Sequence, residues 1–157
     1  MKYRLTPYTI FEQGARDYQE DYLSPKHNEA SQSDRVFILC DGMGGHSCGE
    51  VASSIVISYI GHHFQESFYK MSKEQAINWI NDTVNEVNSK IFKYVMEHPE
   101  SKGMGTTLVM AILTKEFLLF GNVGDSSGFV MKDEKLHKVT YDHTLVNLLV
   151  SAGELTR

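Results

Sequence analysis

The hydrophobic and polar positions change their period several times along the chain, and each change predicts a new element. Residues 8–11 and 21–23 are short stretches rich in β-branched and aromatic side chains, which predicts two strands. The polar residues 26–34 that follow predict a loop. Residues 36–40 form a continuous apolar run, which predicts a strand buried on both faces.

The middle of the chain has a helical period. Apolar residues recur at helical spacing over residues 49–68 and predict a first helix there. Ser72 and Gln75 have the spacing of a capping box, which predicts the start of a second helix. A regular apolar stripe extends this second helix to about residue 97.

Strand-like residues return after Gly103. The pattern predicts four further strands, with short turns near residues 115–116 and 133–134, over residues 106–113, 117–123, 128–131 and 136–140. A last helix is predicted over residues 144–152, with Gly153 as its end. Because strands are followed by two helices and then strands again, the order favours an α+β fold over alternating βαβ units.

Composition narrows the class of protein. The 157 residues suit one domain, with 41% hydrophobic and 22% charged residues, as in ordinary globular proteins. A formal net charge of -5 offers no broad basic surface, so we expect neither nucleic-acid nor membrane binding. Cys40 and Cys48 lack a zinc-site spacing, and no signal peptide or membrane span is evident. A reducing, cytoplasmic location is predicted.

The end of the apolar run 36–40 suggests chemistry. Asp41 follows the run directly and is itself followed by Gly42, two further glycines and His46. A carboxylate at the end of a buried strand costs free energy unless a positive group pairs with it. The glycine-rich turn leaves backbone carbonyls free to approach the same positive group. A hard divalent cation suits both kinds of oxygen ligand.

Polar clusters also occur at the ends of other apolar elements. They occupy residues 16–21, 103–107 and 121–127. If strand ends bring the acids together, a divalent metal would relieve their repulsion, and a nearby arginine could bind a phosphate. Taken singly, each cluster has a simpler interpretation. Asp-Gly pairs are common in turns, the glycines near 103 suit a loop, and Glu20-Asp21 could be a solvated turn with Arg16 as surface partner.

The clusters taken together resemble the metal-dependent protein phosphatase (PPM) family, the type-2C serine/threonine phosphatases, in their bacterial form. Residues 16–21 (Arg-Asp-Tyr-Gln-Glu-Asp) resemble its Arg-x-x-(Asn/Gln)-Glu-Asp motif, and residues 37–46 its Asp-Gly motif. Residues 103–107, 123–126 and 142–153 resemble the motifs that follow. The resemblance implies a four-layer αββα fold, an antiparallel β-sandwich flanked by helices, with residues 1–157 as its N-terminal portion.

The resemblance also implies roles for individual residues. Asp41 would bridge two Mn2+ or Mg2+ ions, and the Gly42 carbonyl would bind one of them. Glu20 and Asp21 would hold metal-bound waters, and Asp21 is also predicted to be a metal-binding residue. Arg16 would bind the substrate phosphate. Asp125 matches the acid that some members use for a third ion. A hydroxide bridging the two metals would attack phosphoserine or phosphothreonine in protein substrates.

The chain departs from the family pattern in three places. Met43 occupies the position where animal members carry a histidine, so the general acid is unassigned, and Ser127 replaces a usual arginine. The later motifs, which supply acids for the second metal, have no counterpart before Arg157. We therefore expect a domain incomplete at its C-terminus, weak or inactive alone, with open sheet edges that invite self-association.

Two alternatives to an enzyme stay open at this point. A pseudophosphatase would use the same fold to bind a partner or a phosphorylated peptide, and the absence of the later acids argues for it. The retention of Arg16, Asp21, Asp41 and Asp125 argues against it. A purely structural metal-binding domain is the third reading, and it leaves Arg16 without a role.

Overall fold

The computed structural model describes residues 6, 8–24, 36–44, 48–64, 70–114 and 116–154. Strands and helices within this part are β1 (Tyr22–Ser24), β2 (Val36–Cys40), β3 (Gly42–Met43), α1 (Cys48–His63), α2 (Lys73–Glu97), β4 (Gly105–Thr106), β5 (Leu108–Leu113), β6 (Leu118–Val123), β7 (Phe129–Lys132), β8 (Lys135–Lys138) and α3 (Leu145–Ser151). A short 3₁₀ helix, Pro99–Ser101, follows α2.

The largest sheet contains four antiparallel strands in the order β1, β2, β5, β6. Two small antiparallel ribbons, β3 with β4 and β7 with β8, complete the described strands. The described strands pair antiparallel throughout, and the pair α1 and α2 lies between β3 and β4 in the chain, so the α+β class predicted from the element order is confirmed.

The core lies on one face of this sheet. Val36, Ile38 and Cys40 of β2 are buried in a cluster that includes Val56 and Ile60 of α1. On the opposite face of β2 the side chain of Leu39 is 45% exposed. The prediction that this strand is buried on both faces is therefore wrong for the described chain. The two helices cover one face, and the other face would require a second sheet.

Residues 8–11 do not form the strand that their composition predicts. No described strand pairs with them, and the side chains of Tyr8 and Ile10 are 89% and 87% exposed. The segment instead borders a groove on the open face of the sheet, beside Leu39 and Val109. A strand needs a partner for its backbone hydrogen bonds, and local composition does not supply one.

The predicted ends of α2 and α3 are confirmed, and the predicted end of α1 is not. The capping box of α2 is present, with Gln75 N donating to Ser72 Oγ at 3.2 Å and Ser72 N donating to Gln75 Oε1 at 2.9 Å. The first helix ends at His63, short of the predicted residue 68. Phe64 leaves the helix and packs edge-to-face on Trp79 of α2, with ring centroids 5.8 Å apart. Residues 65–69 lie outside the described part.

The predicted turn at residues 133–134 and the predicted last helix are both present. Asp133 and Glu134 have φ values of 51° and 61°, as a two-residue hairpin turn of type I′ requires. Thr144 caps α3, and Gly153 after it has a φ of 77°. Lys115 of the other predicted turn lies outside the described residues. None of the helices that the structure describes is long and apolar enough to cross a membrane.

Candidate active site

Asp41 lies where two adjacent strands are interrupted at the same level. The pairing of Leu39 with Val109 and of Gly42 with Thr106 places Asp41 directly opposite Thr107. Thr107 N donates to Asp41 O at 2.9 Å, and Asp41 N donates to Thr107 Oγ1 at 3.0 Å. The predicted glycine-rich turn after Asp41 thus begins as the short strand β3, and the predicted strand 106–113 is split at Thr107.

A second hydroxyl supports the Asp41 carbonyl. Thr106 Oγ1 lies 3.1 Å from Asp41 O and 3.0 Å from Thr107 O, so its single proton serves one of two carbonyls at a time. Ser53 Oγ of α1 lies 2.9 Å from the same Thr106 oxygen. The backbone of Asp41 is therefore held by hydroxyl groups from the opposite strand, and these hydrogen bonds do not use its carboxylate.

The acids of the first predicted cluster lie beside Asp41. Burial raises the pKa of Asp21, and the charge of Asp41 and a hydrogen bond to its side chain raise it further. Glu20 adds to this upward shift through its charge, whereas the nearby Arg16 lowers the pKa of Asp21. Four of the predicted site residues thus share one electrostatic environment. A cation would stabilise the ionised form of Asp21 in that environment.

Gly42 is fixed by close backbone contacts. Its N–H donates to Glu20 O at 3.3 Å. A Cβ at this position would lie 2.6 Å from Glu20 O and would overlap the Gly49 carbonyl oxygen. Gly49, at the start of α1, is also restricted, because a Cβ there would lie 2.7 Å from Gly42 C and 2.8 Å from Met43 N, both backbone atoms. The Gly42 carbonyl, a predicted metal ligand, therefore has a position that only glycine at residue 42 allows.

The loop that carries Asp125 reaches the site through its neighbours. Ser126 Oγ lies 2.6 Å from Thr107 Oγ1. Gly124, with a φ of 93°, packs so closely that an added Cβ would lie 2.8 Å from the Thr107 methyl group. Behind this loop His143 N donates to Gly124 O at 2.9 Å. Asp125 itself is exposed.

Ser127 occupies the position where the sequence departs from the arginine usual in the PPM family. Its Oγ donates to Asp142 Oδ1 at 3.3 Å, and Lys138 Nζ lies 2.6 Å from Asp142 Oδ2. The hydrogen bond from Lys138 lowers the pKa of Asp142. Ser127 therefore anchors the Asp125 loop to the segment after β8.

The predicted site residues are placed as follows. Arg16, Glu20, Asp21 and Asp41 come together at the ends of β1 and β2, and Asp125 is tied to them through Ser126 and Thr107. His46 lies outside the described residues. Sequence reasoning missed Ser53, Thr106, Thr107 and Ser126 as supports of the site. The sequence signal for Thr106 and Thr107 was their position directly after Gly-Met-Gly. The simpler interpretation of that segment was a loop.

The donor groups suit a hard divalent cation. Among the described residues no three His, Cys, Asp or Glu side chains converge closely enough to form a complete metal-ligand set. The residues that do converge offer oxygen atoms, from the Asp41 and Asp21 carboxylates and from the Gly42 carbonyl. Mg2+ and Mn2+ prefer oxygen ligands such as these, and water completes their coordination shells. The positive charge of the ion would also offset the repulsion between the carboxylates. The residues present therefore fit part of a metal site.

Comparison with known proteins gives a consistent result. The sequence model of the family described as "Protein phosphatase 2C" matches residues 15–151. The chain is 34% identical to the serine/threonine phosphatase stp of Listeria monocytogenes over 142 residues, which cover 90% of this chain and 56% of that protein. The chain thus spans about half the length of the curated relatives it matches first.

Solved structures agree with the sequence relatives. Serine/threonine phosphatase Stp1 from Staphylococcus aureus is similar with a TM-score of 0.75 and 35% identity, over 95% of this chain and 57% of that one. The catalytic domain of PstP, solved in complex with two manganese ions, is similar with a TM-score of 0.73 and 33% identity. That match covers 90% of this chain and 56% of the PstP chain.

Proposed function

Because the chain belongs to the protein phosphatase 2C family, we propose that it provides the N-terminal portion of a metal-dependent serine/threonine phosphatase domain. Residues 1–157 are proposed to form one unit of that domain, with phosphorylated proteins as substrates. The fold of the chain is similar to that of solved serine/threonine phosphatases, with TM-scores of 0.72 and 0.75. The activity proposed is that of the protein to which this unit belongs, since the chain spans about half of its relatives.

The observation that carries the proposal is the contact between Asp21 and Asp41. The charge of Asp41 raises the pKa of Asp21, so the ionised form of Asp21 is unfavourable there unless a cation lies beside it. We propose that Asp41 and the Gly42 carbonyl bind Mn2+ or Mg2+ directly, with Asp21 as a further ligand or an acceptor for coordinated water. Two such ions would match the two manganese ions of the PstP complex. A third ion near Asp125 is proposed in addition.

Arg16 and Glu20 would act beside these ligands. When bound, the metal ions supply a water of lowered pKa and neutralise charge on the phosphoryl group. Glu20 would accept hydrogen bonds from water at the site and fix its orientation. Arg16, whose charge already reaches Asp21, would bind two phosphate oxygens through its guanidinium group.

Met43 bears on protonation of the leaving group. Its side chain is 63% exposed beside Asp41, and a thioether transfers no proton. No described residue is proposed as the general acid. The seryl or threonyl oxygen would then take its proton from water.

The proposal is tested by titrating Mn2+ into the purified chain in a calorimeter. We expect binding by the unmodified chain and a loss of at least about tenfold in affinity for Asp41→Asn. Asp82→Asn, which removes an exposed acid from α2, serves as the matched control and should bind like the unmodified chain. Equal binding by all three chains would contradict the assignment of Asp41.

Hydrolysis separates an enzyme from a pseudophosphatase. The protein that contains this chain should release phosphate from a phosphothreonine peptide when Mn2+ is present, and Asp41→Asn should abolish the release. Mn2+ binding without hydrolysis at saturating metal would favour the binding module instead. Because the chain spans about half the length of its relatives, we expect the 157 residues alone to be weak or inactive.

We also propose that the chain self-associates through an open sheet edge. Within the described residues β6 pairs only with β5, and its ends expose Leu118 by 44% and Val123 by 39%. An unpaired edge strand of this kind is a template for pairing with a second strand. Sedimentation equilibrium should show dimers that Leu118→Lys weakens, and a monomer at all concentrations would refute the proposal.

A further inference from the structure

The hydroxyl of Thr107 replaces a backbone carbonyl in the hydrogen bonding of Asp41. Opposite residues in an antiparallel ladder alternate between hydrogen-bonded and non-hydrogen-bonded pairs, and those of a regular hydrogen-bonded pair exchange both of their N–H to carbonyl bonds. Here Thr107 N donates to Asp41 O in the usual way, but Asp41 N donates to Thr107 Oγ1 at 3.0 Å. The backbone position of Asp41 therefore depends on a side chain, which a substitution can remove.

The same hydroxyl contacts the loop that carries Asp125. Thr107 Oγ1 and Ser126 Oγ lie 2.6 Å apart, and the Thr107 methyl group fills the space that Gly124 leaves by lacking a Cβ. One side chain thus touches the two segments that hold Asp41 and Asp125. Among the described contacts, none joins the carboxylate of Asp41 directly to that of Asp125.

We propose that Thr107 is a positioning residue, whose hydroxyl sets the orientation of Asp41 and ties the Asp125 loop to it. This inference rests on the proposed function and deepens it, because it concerns how the metal-binding acids are held. Groups that orient metal ligands without touching the metal typically change metal affinity by about 10–100-fold when they are removed.

Thr106 provides an internal comparison. Its hydroxyl also reaches Asp41, but the carbonyl that it contacts already accepts a hydrogen bond from Thr107 N. Loss of the Thr106 hydroxyl would leave that carbonyl paired. Loss of the Thr107 hydroxyl would leave the Asp41 N–H without its acceptor among the described residues.

The experiment compares Thr107→Val, Thr107→Ser and Thr114→Val with the unmodified chain. Valine keeps the shape of threonine and removes the hydroxyl, and serine restores it. Thr114 is a matched control, since its hydroxyl bonds Glu116 N and Phe117 N in the β5–β6 turn. Two quantities are measured: the Mn2+ affinity by calorimetry, and the hydrogen-exchange rate of the Asp41 amide by NMR without metal.

We expect Thr107→Val to exchange the Asp41 amide at least about tenfold faster and to bind Mn2+ about tenfold more weakly. Thr107→Ser should recover both quantities to within about threefold, because a serine hydroxyl can accept the same bond. Thr114→Val should lower the melting temperature and leave both quantities unchanged. Should Thr107→Val not fold, Ser126→Ala is used, and it should weaken Mn2+ binding several-fold while the Asp41 amide keeps its exchange rate.

Three results would overturn the proposal. The first is an Asp41 amide that exchanges at the unmodified rate in Thr107→Val. The second is Mn2+ affinity that falls equally in Thr107→Val and Thr114→Val, which would indicate a general loss of stability. The third is unchanged Mn2+ affinity in Ser126→Ala. If even the unmodified chain binds no Mn2+, the proposed function fails, and amide exchange still decides whether Thr107 holds Asp41.

Discussion

The carboxyl group of Asp21 lies against that of Asp41, at the point where β1 and β2 meet the start of α1. Burial and the charge of Asp41 both raise the pKa of Asp21 above its usual value. The free chain therefore carries a local repulsion that favours a proton or a cation between the two acids. This repulsion lowers the stability of the metal-free folded chain near neutral pH.

Asp21→Asn should raise the melting temperature of the metal-free chain near pH 7 and weaken Mn2+ binding. The pKa of Asp21 is higher in the folded chain than in the unfolded chain, so folding takes up a proton at this group. Its contribution favours folding below the unfolded pKa of 3.8 and declines as the pH rises through the raised folded pKa. Thermal unfolding from pH 3 upward in ~0.5 steps, with and without Mn2+, measures both effects.

Asp142→Asn is the opposite control. The hydrogen bond from Lys138 lowers the pKa of Asp142, so this group stabilises the fold above its unfolded pKa and loses that effect in acid. Asp142→Asn should therefore lower the melting temperature near neutral pH and should not affect it in strong acid. A Tm change of the same sign in Asp21→Asn and Asp142→Asn near pH 7 would contradict the assignment.

Gly42→Ala should destabilise the chain by about 3 kcal/mol, the upper range for overpacking, and remove Mn2+ binding. A Cβ at residue 42 would collide with backbone oxygens of Glu20 and Gly49, which cannot move without shifting β1 or α1. Gly61→Ala is the matched control, because nothing lies within 4 Å of a Cβ there.

Gly61 lies inside α1, where alanine is favoured over glycine by about 0.5–1 kcal/mol. Chemical denaturation should therefore show opposite signs for Gly42→Ala and Gly61→Ala. Equal stability of Gly42→Ala and the unmodified chain would show that the backbone at residue 42 is not as tightly packed as described.

Ser72→Ala should destabilise the chain by about 1 kcal/mol, because it removes the side-chain acceptor at the N-terminus of α2. For a chain of this size that corresponds to a melting temperature about 2–4 °C lower. Ser89→Ala on the exposed part of the same helix removes only a bond to the Asn85 carbonyl and should be nearly neutral. Two melting curves that coincide for Ser72→Ala and Ser89→Ala would argue against the capping box.

Cys40 should resist alkylation in the folded chain at pH 8. Its side chain is fully buried, and burial raises the pKa of its thiol to about 12, so almost no thiolate is present. Mass spectrometry after iodoacetamide treatment should find Cys40 modified only once guanidinium has unfolded the chain. Labelling of native Cys40 at the rate of a free thiol would contradict its burial.

A cytoplasmic location stays a prediction.

Local patterns in the sequence were sufficient for the helices and for the identity of the acids. The box formed by Ser72 and Gln75 and the apolar stripe behind it depend on neighbours within one helical turn, so the sequence alone predicts α2. The positions of Arg16, Asp21 and Asp41 at element ends were likewise evident from the residues.

Tertiary structure decided what no local pattern records. Whether residues 8–11 form a strand depends on a partner strand, and whether β2 is covered on both faces depends on a second layer. The role of Thr107 follows from a register that joins residues 66 positions apart and gives a side chain the place of a carbonyl. Sequence determines which groups are available for chemistry, but the pairing of distant strands decides which of them hold Asp41 in place, because backbone hydrogen bonds must be satisfied across the fold.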